Sequence, residues 1–344
     1  MAPKRRVRNL IHSLKDTASI LAATLSLKSH VSSVRLHVLR ATSHSISYSP
    51  SPERITAVLS VVQGSHILQR VCIEALMDRL QETRNATVAL QCLFMLHNII
   101  RGPLALRDQL SYYLSSGGQN FLNLSNFRDK SGLESLELSS WVRWYAGVLE
   151  QSLTVSRVLG YYLTSGDKNN EKTGVQERKH LQGSNSDLLC KIKSLVGFVE
   201  QITRVPESLY LQKNELVYEA VRLVGEDYRS VQSEILLRME EFGRRMEILD
   251  VGDLSELVGY LKRIEDSKEK LVLLFVNRRR NDAFWDFIKQ TKTEMGTKKE
   301  EMEGKWLTVR PVSIGWPNPF LEPGQWMEIP PGEGWVGKIR NGVF

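Results

Sequence analysis

The chain has 344 residues, enough for one large or two ordinary domains, and its 42% hydrophobic and 25% charged composition is that of a soluble globular protein. Lysine and arginine number 46 against 39 acids, a net charge of +7, and all of that excess lies in residues 1–54, where Lys4, Arg5, Arg6, Arg8, Lys15, Lys28, Arg35, Arg40 and Arg54 face only Asp16 and Glu53. No apolar run approaches the ~20 residues that cross a bilayer, and no apolar core with a small-residue cleavage site follows the basic start, so we expect a cytosolic or nuclear chain whose membrane contact is peripheral.

In the basic stretch, Val7, Leu10, Ile11, Leu14, Ala18, Leu21 and Leu25 recur at three- and four-residue steps, with Arg8, His12, Lys15 and Ser19 on the opposite side. That pattern predicts an amphipathic helix whose basic face suits an anionic surface, be it membrane, nucleic acid or acidic protein; a first helix docked on a core fits the residues after Leu14 equally well. Val31, Val34, Val38 and Ala41 predict a second helix ending near His44. Pro52 suits the first position of a third, with Ile55, Val58, Leu59 and Val62 inward and Gly64 as its stop. Ile67 to Leu76 carry the next.

Asn85 is placed to cap a helix over 86–101, and Val88, Leu90, Cys92, Leu93, Phe94, Leu96 and Ile99 leave it almost no polar face. A helix apolar all round must be covered all round, which makes this one the centre of the stack, stopped by Gly102-Pro103. A helix over 104–114 follows. Residues 121–132 lack either period and are dense in turn formers, predicting an ordered loop pinned by Phe121, Leu124 and Phe127. Further helices are expected at 140–163, 188–202, 216–224, 231–242, 254–264 and 271–288, with a flexible insertion at 165–186. From about Thr291, Pro311, Pro317, Pro319, Pro323, Pro330 and Pro331 alternate with glycines and tryptophans, predicting a disordered tail over 291–344 beyond a helical domain of 1–290. Strand alternation is absent, so the fold class is all-α, a solenoid of about ten helices with short connections. Cys72, Cys92 and Cys190 lie far apart among apolar residues and are expected as buried, reduced thiols; the seven histidines show no metal-ligand spacing and are expected at the surface or as satisfied core residues.

Asn123-Leu-Ser-Asn-Phe-Arg-Asp-Lys-Ser-Gly132, Ser140-Trp-Val-Arg-Trp-Tyr145 and Val148-Leu-Glu150, with Arg40-Ala-Thr-Ser-His44 and Leu96-His97-Asn98, resemble the ANTH-domain (ENTH/VHS-like) clathrin assembly proteins of the plant type. The resemblance runs from the N-terminus to about residue 288. It implies a right-handed α-solenoid and a non-enzymatic, cytoplasmic adaptor in endocytosis, peripheral on clathrin-coated pits and vesicles at the plasma membrane or Golgi apparatus. Implied partners are phosphoinositide membrane, with phosphatidylinositol bisphosphate as the headgroup, clathrin, EH-domain proteins and SNARE cargo, and no cofactor is implied. In such proteins the headgroup is held by a basic residue just before Ala-Thr and by a lysine-rich cluster about a dozen residues on. Arg40 fills the first place; at the second stand Ser51-Pro52-Glu53-Arg54, with Arg54 alone basic. The implied headgroup set is Arg40, Arg54, Lys28 and His44, beside a membrane-surface helix bearing Lys4, Arg5, Arg6, Arg8 and Lys15. Each such cation contributes about 1 kcal/mol near an anionic leaflet, so the prefix Lys4, Arg5, Arg6 and Arg8 gives roughly 4 kcal/mol, only millimolar affinity, and other contacts must add to it.

Asn318-Pro319-Phe320 in the tail is the tripeptide bound by EH domains, an Asn-Pro turn presenting an aromatic ring. No clathrin box stands in the tail, and Met246-Glu-Ile-Leu-Asp250 imitates one only distantly. No P-loop, dinucleotide fingerprint, nucleophile elbow or paired metal ligands occur, which excludes the commoner enzyme classes. A second class stays open: a helical-repeat scaffold for an acidic protein or nucleic acid, favoured by Glu53 and the missing lysines. No aromatic residue interleaves with Lys4-Arg5-Arg6, which argues against nucleic acid.

Overall fold

A computed structural model describes residues 29–43, 50–62, 65–102, 122–163, 181, 183–275 and 282–308. The chain falls into two units, Met1–Met302 and Glu303–Phe344, and the packing below concerns the first. Every regular element among the described residues is helical.

Helix α1 (Ser29–Ala41) turns its valines inward, Val34 and Val38 being buried. Helix α2 (Pro52–Val61) carries proline at its first turn, where no N–H bond is lost, as the sequence predicts. Helix α3 (His66–Glu82) begins at Ser65, whose hydroxyl accepts from Leu68 N, and buries Cys72, Ile73, Leu76 and Leu80. Helix α4 (Ala86–Ile100) is the expected centre: Asn85 accepts from Val88 N at 3.1 Å, and every residue except Thr87 and Asn98 is buried.

Helix α5 (Leu133–Leu159) starts seven residues before the expected 140 and stops before 163. Gly160 explains the stop: its φ of 81° is left-handed, and its N–H returns to Ser156 O at 2.9 Å. Helix α6 (Asn185–Thr203) opens on a reciprocal Ser184/Asp187 capping box. The flexible insertion expected over 165–186 therefore ends early, with Leu181 buried and 185–186 helical; its residues 165–180 lie outside the described set.

The two helices expected at 216–224 and 231–242 are one, α7 (Glu215–Arg244). Gly225 costs about 1 kcal/mol in a helix interior, but Val224, Asp227, Tyr228 and Val231 around it are all buried, and their contacts outweigh the propensity. Helix α8 (Val251–Asp266), capped by Asp250, leads through Ser267 to α9 (Lys268–Leu274). Helix α10 (Asp282–Thr308) corrects both the expected last helix at 271–288 and the tail boundary at 290. The run of lysine and glutamate read as tail is helical because it is anchored: Met295 is fully buried, Lys292 pairs with Glu265 of α8, and Lys298 reaches Glu247 at 2.9 Å.

The helices pack largely in chain order. α1 lies against α2 and α3, α3 against α4, α4 against α5, α5 against α6, and α6 against α7 and α8, while α7 reaches back to α4 and α5. α7 thus covers a side of α4 that α3 and α5 leave open, which fits the nearly all-round burial of α4. Among the described residues no helix is long and apolar enough to cross a membrane.

Candidate functional site

The carboxyl end of α1 is where the two described headgroup candidates meet. A helix ends with carbonyls that lack intrahelical partners and carry the negative end of its dipole. Here guanidinium groups from two other helices supply them. Arg54, in the first turn of α2, donates through Nη1 to Arg40 O at 3.1 Å, and Arg79, in the last turn of α3, donates through Nε to Thr42 O at 3.0 Å. Thr42 Oγ1 closes the turn on Val38 O at 2.7 Å. Val38, Ala41, Val58 and Cys92, all buried, hold this end of the stack from beneath. Burial, opposed by the nearby Arg79 charge and the Thr42 hydroxyl, pushes the Cys92 thiol up to about 12.

Arg40 and Arg54 are exposed, and among the described residues neither stands in an ion pair. Glu53 accepts from the Ser51 hydroxyl at 3.1 Å rather than from either arginine. The Arg54 guanidinium thus lies at the same helix end that bears the exposed Arg40. Lys28, His44, Lys4, Arg5, Arg6, Arg8, Lys15 and Asn318-Pro319-Phe320 lie outside the described residues, as do Phe121 and the helix expected at 104–114.

The loop 122–132 is held by a polar pin as much as by its hydrophobes. Leu122 is buried and Leu124 and Phe127 rest on the core, but Asp129, also buried, accepts from Ala86 N at 3.0 Å and from Ser131 N at 2.9 Å, while its own N–H donates to Ser139 Oγ at 2.8 Å. A carboxylate at the first N–H groups of α4 answers both the orphan donors and the dipole. The motif Phe127-Arg-Asp129 is therefore where one loop fastens α4 to α5.

A second buried network joins α4, α5 and α7. His97 Nδ1 lies 2.8 Å from Tyr145 Oη and Nε2 2.8 Å from Asp227 Oδ2; Arg101 reaches Asp227 at 2.7 Å and Glu226 at 2.5 Å, and Arg222 continues to Glu226 and Glu219. His97 is a satisfied core histidine. Burial, then the Asp227 charge, push the Tyr145 phenol well above its ordinary value, so it stays protonated. Among the described residues no group of histidine, cysteine, aspartate or glutamate is arranged to hold a metal. Met246-Glu-Ile-Leu-Asp250 forms a 3-10 turn in which Leu249 is buried and Asp250 caps α8, so its side chains already serve the fold.

The loop motif, the His97 position and the arginine before Ala-Thr thus all occupy structural nodes of one helical stack. A family model for the ANTH domain matches residues 33–277. The chain belongs to the ANTH-domain clathrin assembly family. It is 39% identical over 295 residues to the Arabidopsis thaliana protein "Putative clathrin assembly protein At4g40080", covering 84% of this chain and 80% of the relative. A second Arabidopsis thaliana relative, "Putative clathrin assembly protein At5g10410", is 29% identical over 303 residues, covering 85% and 87%. Members of this ANTH family are structural adaptors rather than enzymes.

Arg79 and Asp129 were not legible as site-forming residues. Arg79 acts across 37 positions and Asp129 across 43, and neither spacing leaves a periodic trace.

Proposed function

We propose that this ANTH protein is a peripheral membrane adaptor in clathrin-mediated vesicle budding. Arg40 and Arg54 meet the phosphates of a phosphoinositide headgroup, with phosphatidylinositol bisphosphate the ligand of matching charge. Lys28 and His44 complete the set. Lys4, Arg5, Arg6, Arg8 and Lys15 add the nonspecific attraction of an anionic leaflet. The observation that carries this is the exposed Arg54 guanidinium held on the backbone carbonyl of the equally exposed Arg40 at the carboxyl end of α1. A guanidinium already held in place, as that of Arg54 is, loses less rotamer entropy on meeting a phosphate than one on a free side chain, and the Arg40 charge adds to it. Clathrin and SNARE cargo engage the helical stack, and Asn318-Pro319-Phe320 recruits an EH-domain protein. The sites of action are coated pits and vesicles of the plasma membrane or Golgi.

Glu53 beside Arg54 supports a second reading, a scaffold for an acidic protein with lipid binding lost. Live-cell imaging separates the two. The adaptor reading expects a tagged chain in puncta that coincide with clathrin and a diffuse signal for Arg40→Glu/Arg54→Glu; wild-type protein that is diffuse or nuclear overturns it.

A further inference from the structure

We propose that the outward stripe of α5, bounded by loop 127–130 and by segment 204–210, docks a short extended peptide that carries leucine-type side chains next to a cluster of carboxylates. Leu136, Ser140, Arg143 and Gly147 fall at three- and four-residue steps along that stripe, away from the buried Leu138, Val142 and Tyr145. One wall is the loop: Arg143 Nη1 donates to Phe127 O at 2.8 Å, which sets its guanidinium beside Arg128, and Asp129 is bonded to Ser139. The other wall follows α6: Trp144 Nε1 donates to Ile202 O at 3.0 Å, Arg204 bonds Gln201 at 3.3 Å, and Tyr210 Oη donates to Glu137. Gln201 packs so closely that a Cβ at position 147 would lie 2.4 Å from its Nε2, so its side chain covers Gly147 and closes the strip at that end.

The strip's chemistry is asymmetric. At the amino end of α5, Leu133 is 77%, Leu136 44% and Tyr210 58% exposed, an unusual cluster of bare apolar side chains. Beyond them come Arg128, Lys130 and Arg143, none of which is in an ion pair among the described residues. Burial and then the neighbouring Arg128 charge hold the Arg143 guanidinium below its ordinary value, so the two cations lie close enough to feel each other. An occupant must bring apolar groups to one end and carboxylates to the other. A bilayer meets this description poorly: Arg143 is recessed between the walls, and Glu134, exposed next to Leu133, repels an anionic leaflet. An extended peptide enters such a strip, and its charge order is dictated by it.

The test is fluorescence anisotropy of the full chain with a fluorescein-labelled peptide bearing a pair of leucines followed by a run of glutamates in a glycine-serine frame. Binding is expected. Glutamine in place of the glutamates, or Arg128→Glu in the protein, should weaken it about tenfold, the loss of one charge-assisted contact. Leu133→Ser should weaken it severalfold. Arg128 and Leu133 are exposed, so these variants keep the fold, unlike Arg143→Glu. Failure of the full chain to bind, or equal binding by Arg128→Glu, overturns the proposal. So does an Arg128→Glu effect confined to phosphatidylserine vesicles or to self-association. None of these readouts uses Arg40 or Arg54, so the proposal can fail while the lipid reading stands, and the reverse.

Discussion

Replacing Asp227 by alanine should loosen three helices at once. Its carboxylate, 1% exposed, holds His97 Nε2 at 2.8 Å and Arg101 at 2.7 Å, and His97 is itself fully buried against Tyr145. Removing one member of a buried charged pair costs about 3–5 kcal/mol, because its partners stay buried and unsatisfied. Arg101 softens the loss: its side chain is 18% exposed and keeps Glu226 at 2.5 Å. We therefore expect about 3 kcal/mol for Asp227→Ala. Asp227→Asn preserves the shape and one acceptor oxygen, and about half that loss is expected. At about 2–4 °C per kcal/mol for domains of this order of size, alanine lowers Tm by roughly 6–12 °C. Urea unfolding followed by circular dichroism should show a lower midpoint at unchanged slope. A loss under about 1 kcal/mol, or asparagine as damaging as alanine, would refute the claim that this network carries charge-assisted bonds.

Thiol chemistry checks the core. Burial pushes Cys72 and Cys92 up to about 12 while Cys190 is exposed, so a disulfide reagent at neutral pH should modify Cys190 alone in the folded protein and all three thiols after denaturation; rapid reaction of Cys190→Ser would contradict this. Asp129→Ala should cost about 2–3 kcal/mol and speed hydrogen exchange at the Ala86 amide, since Asn85 cannot satisfy that donor as well as Val88 N; unchanged exchange there would contradict the pin. The Arg263 guanidinium, bonded at 2.7 Å, lowers the pKa of Glu200, so this pair stabilises the fold above the usual glutamate pKa of about 4.3 and loses that contribution as pH falls below it. Glu200→Gln should accordingly flatten the acid limb of the stability curve slightly and leave its alkaline limb alone; an effect confined to high pH would contradict the sign.

Local chemistry made much of the fold readable. Asn85 and Pro52 announce helix starts through their own side chains, and the unbroken apolar surface of α4 announces its central place. Where tertiary contacts override local preference, sequence reading fails. Gly225 looks like a break but lies inside α7, and the lysine-glutamate run after 290 looks like solvated tail but is tied to Glu265 and Glu247. Cys190 sits among apolar neighbours in the chain, yet its position on α6 turns it outward. At the site, the charge balance pointed to Arg40 and Arg54, but the brace from Arg79 depends on a contact between α1 and α3 that no spacing encodes.

The membrane claim rests most directly on co-sedimentation with vesicles containing phosphatidylinositol bisphosphate. At about 1 kcal/mol per unit of charge, and with each Arg→Glu changing the charge by two units, Arg40→Glu/Arg54→Glu should cost roughly 4 kcal/mol, close to three orders of magnitude in affinity. Arg157→Glu, an exposed reversal in the last turn of α5, should leave binding nearly unchanged. Loss of pelleting in the double variant alone is the predicted result; equal pelleting of wild type and double variant would contradict the account.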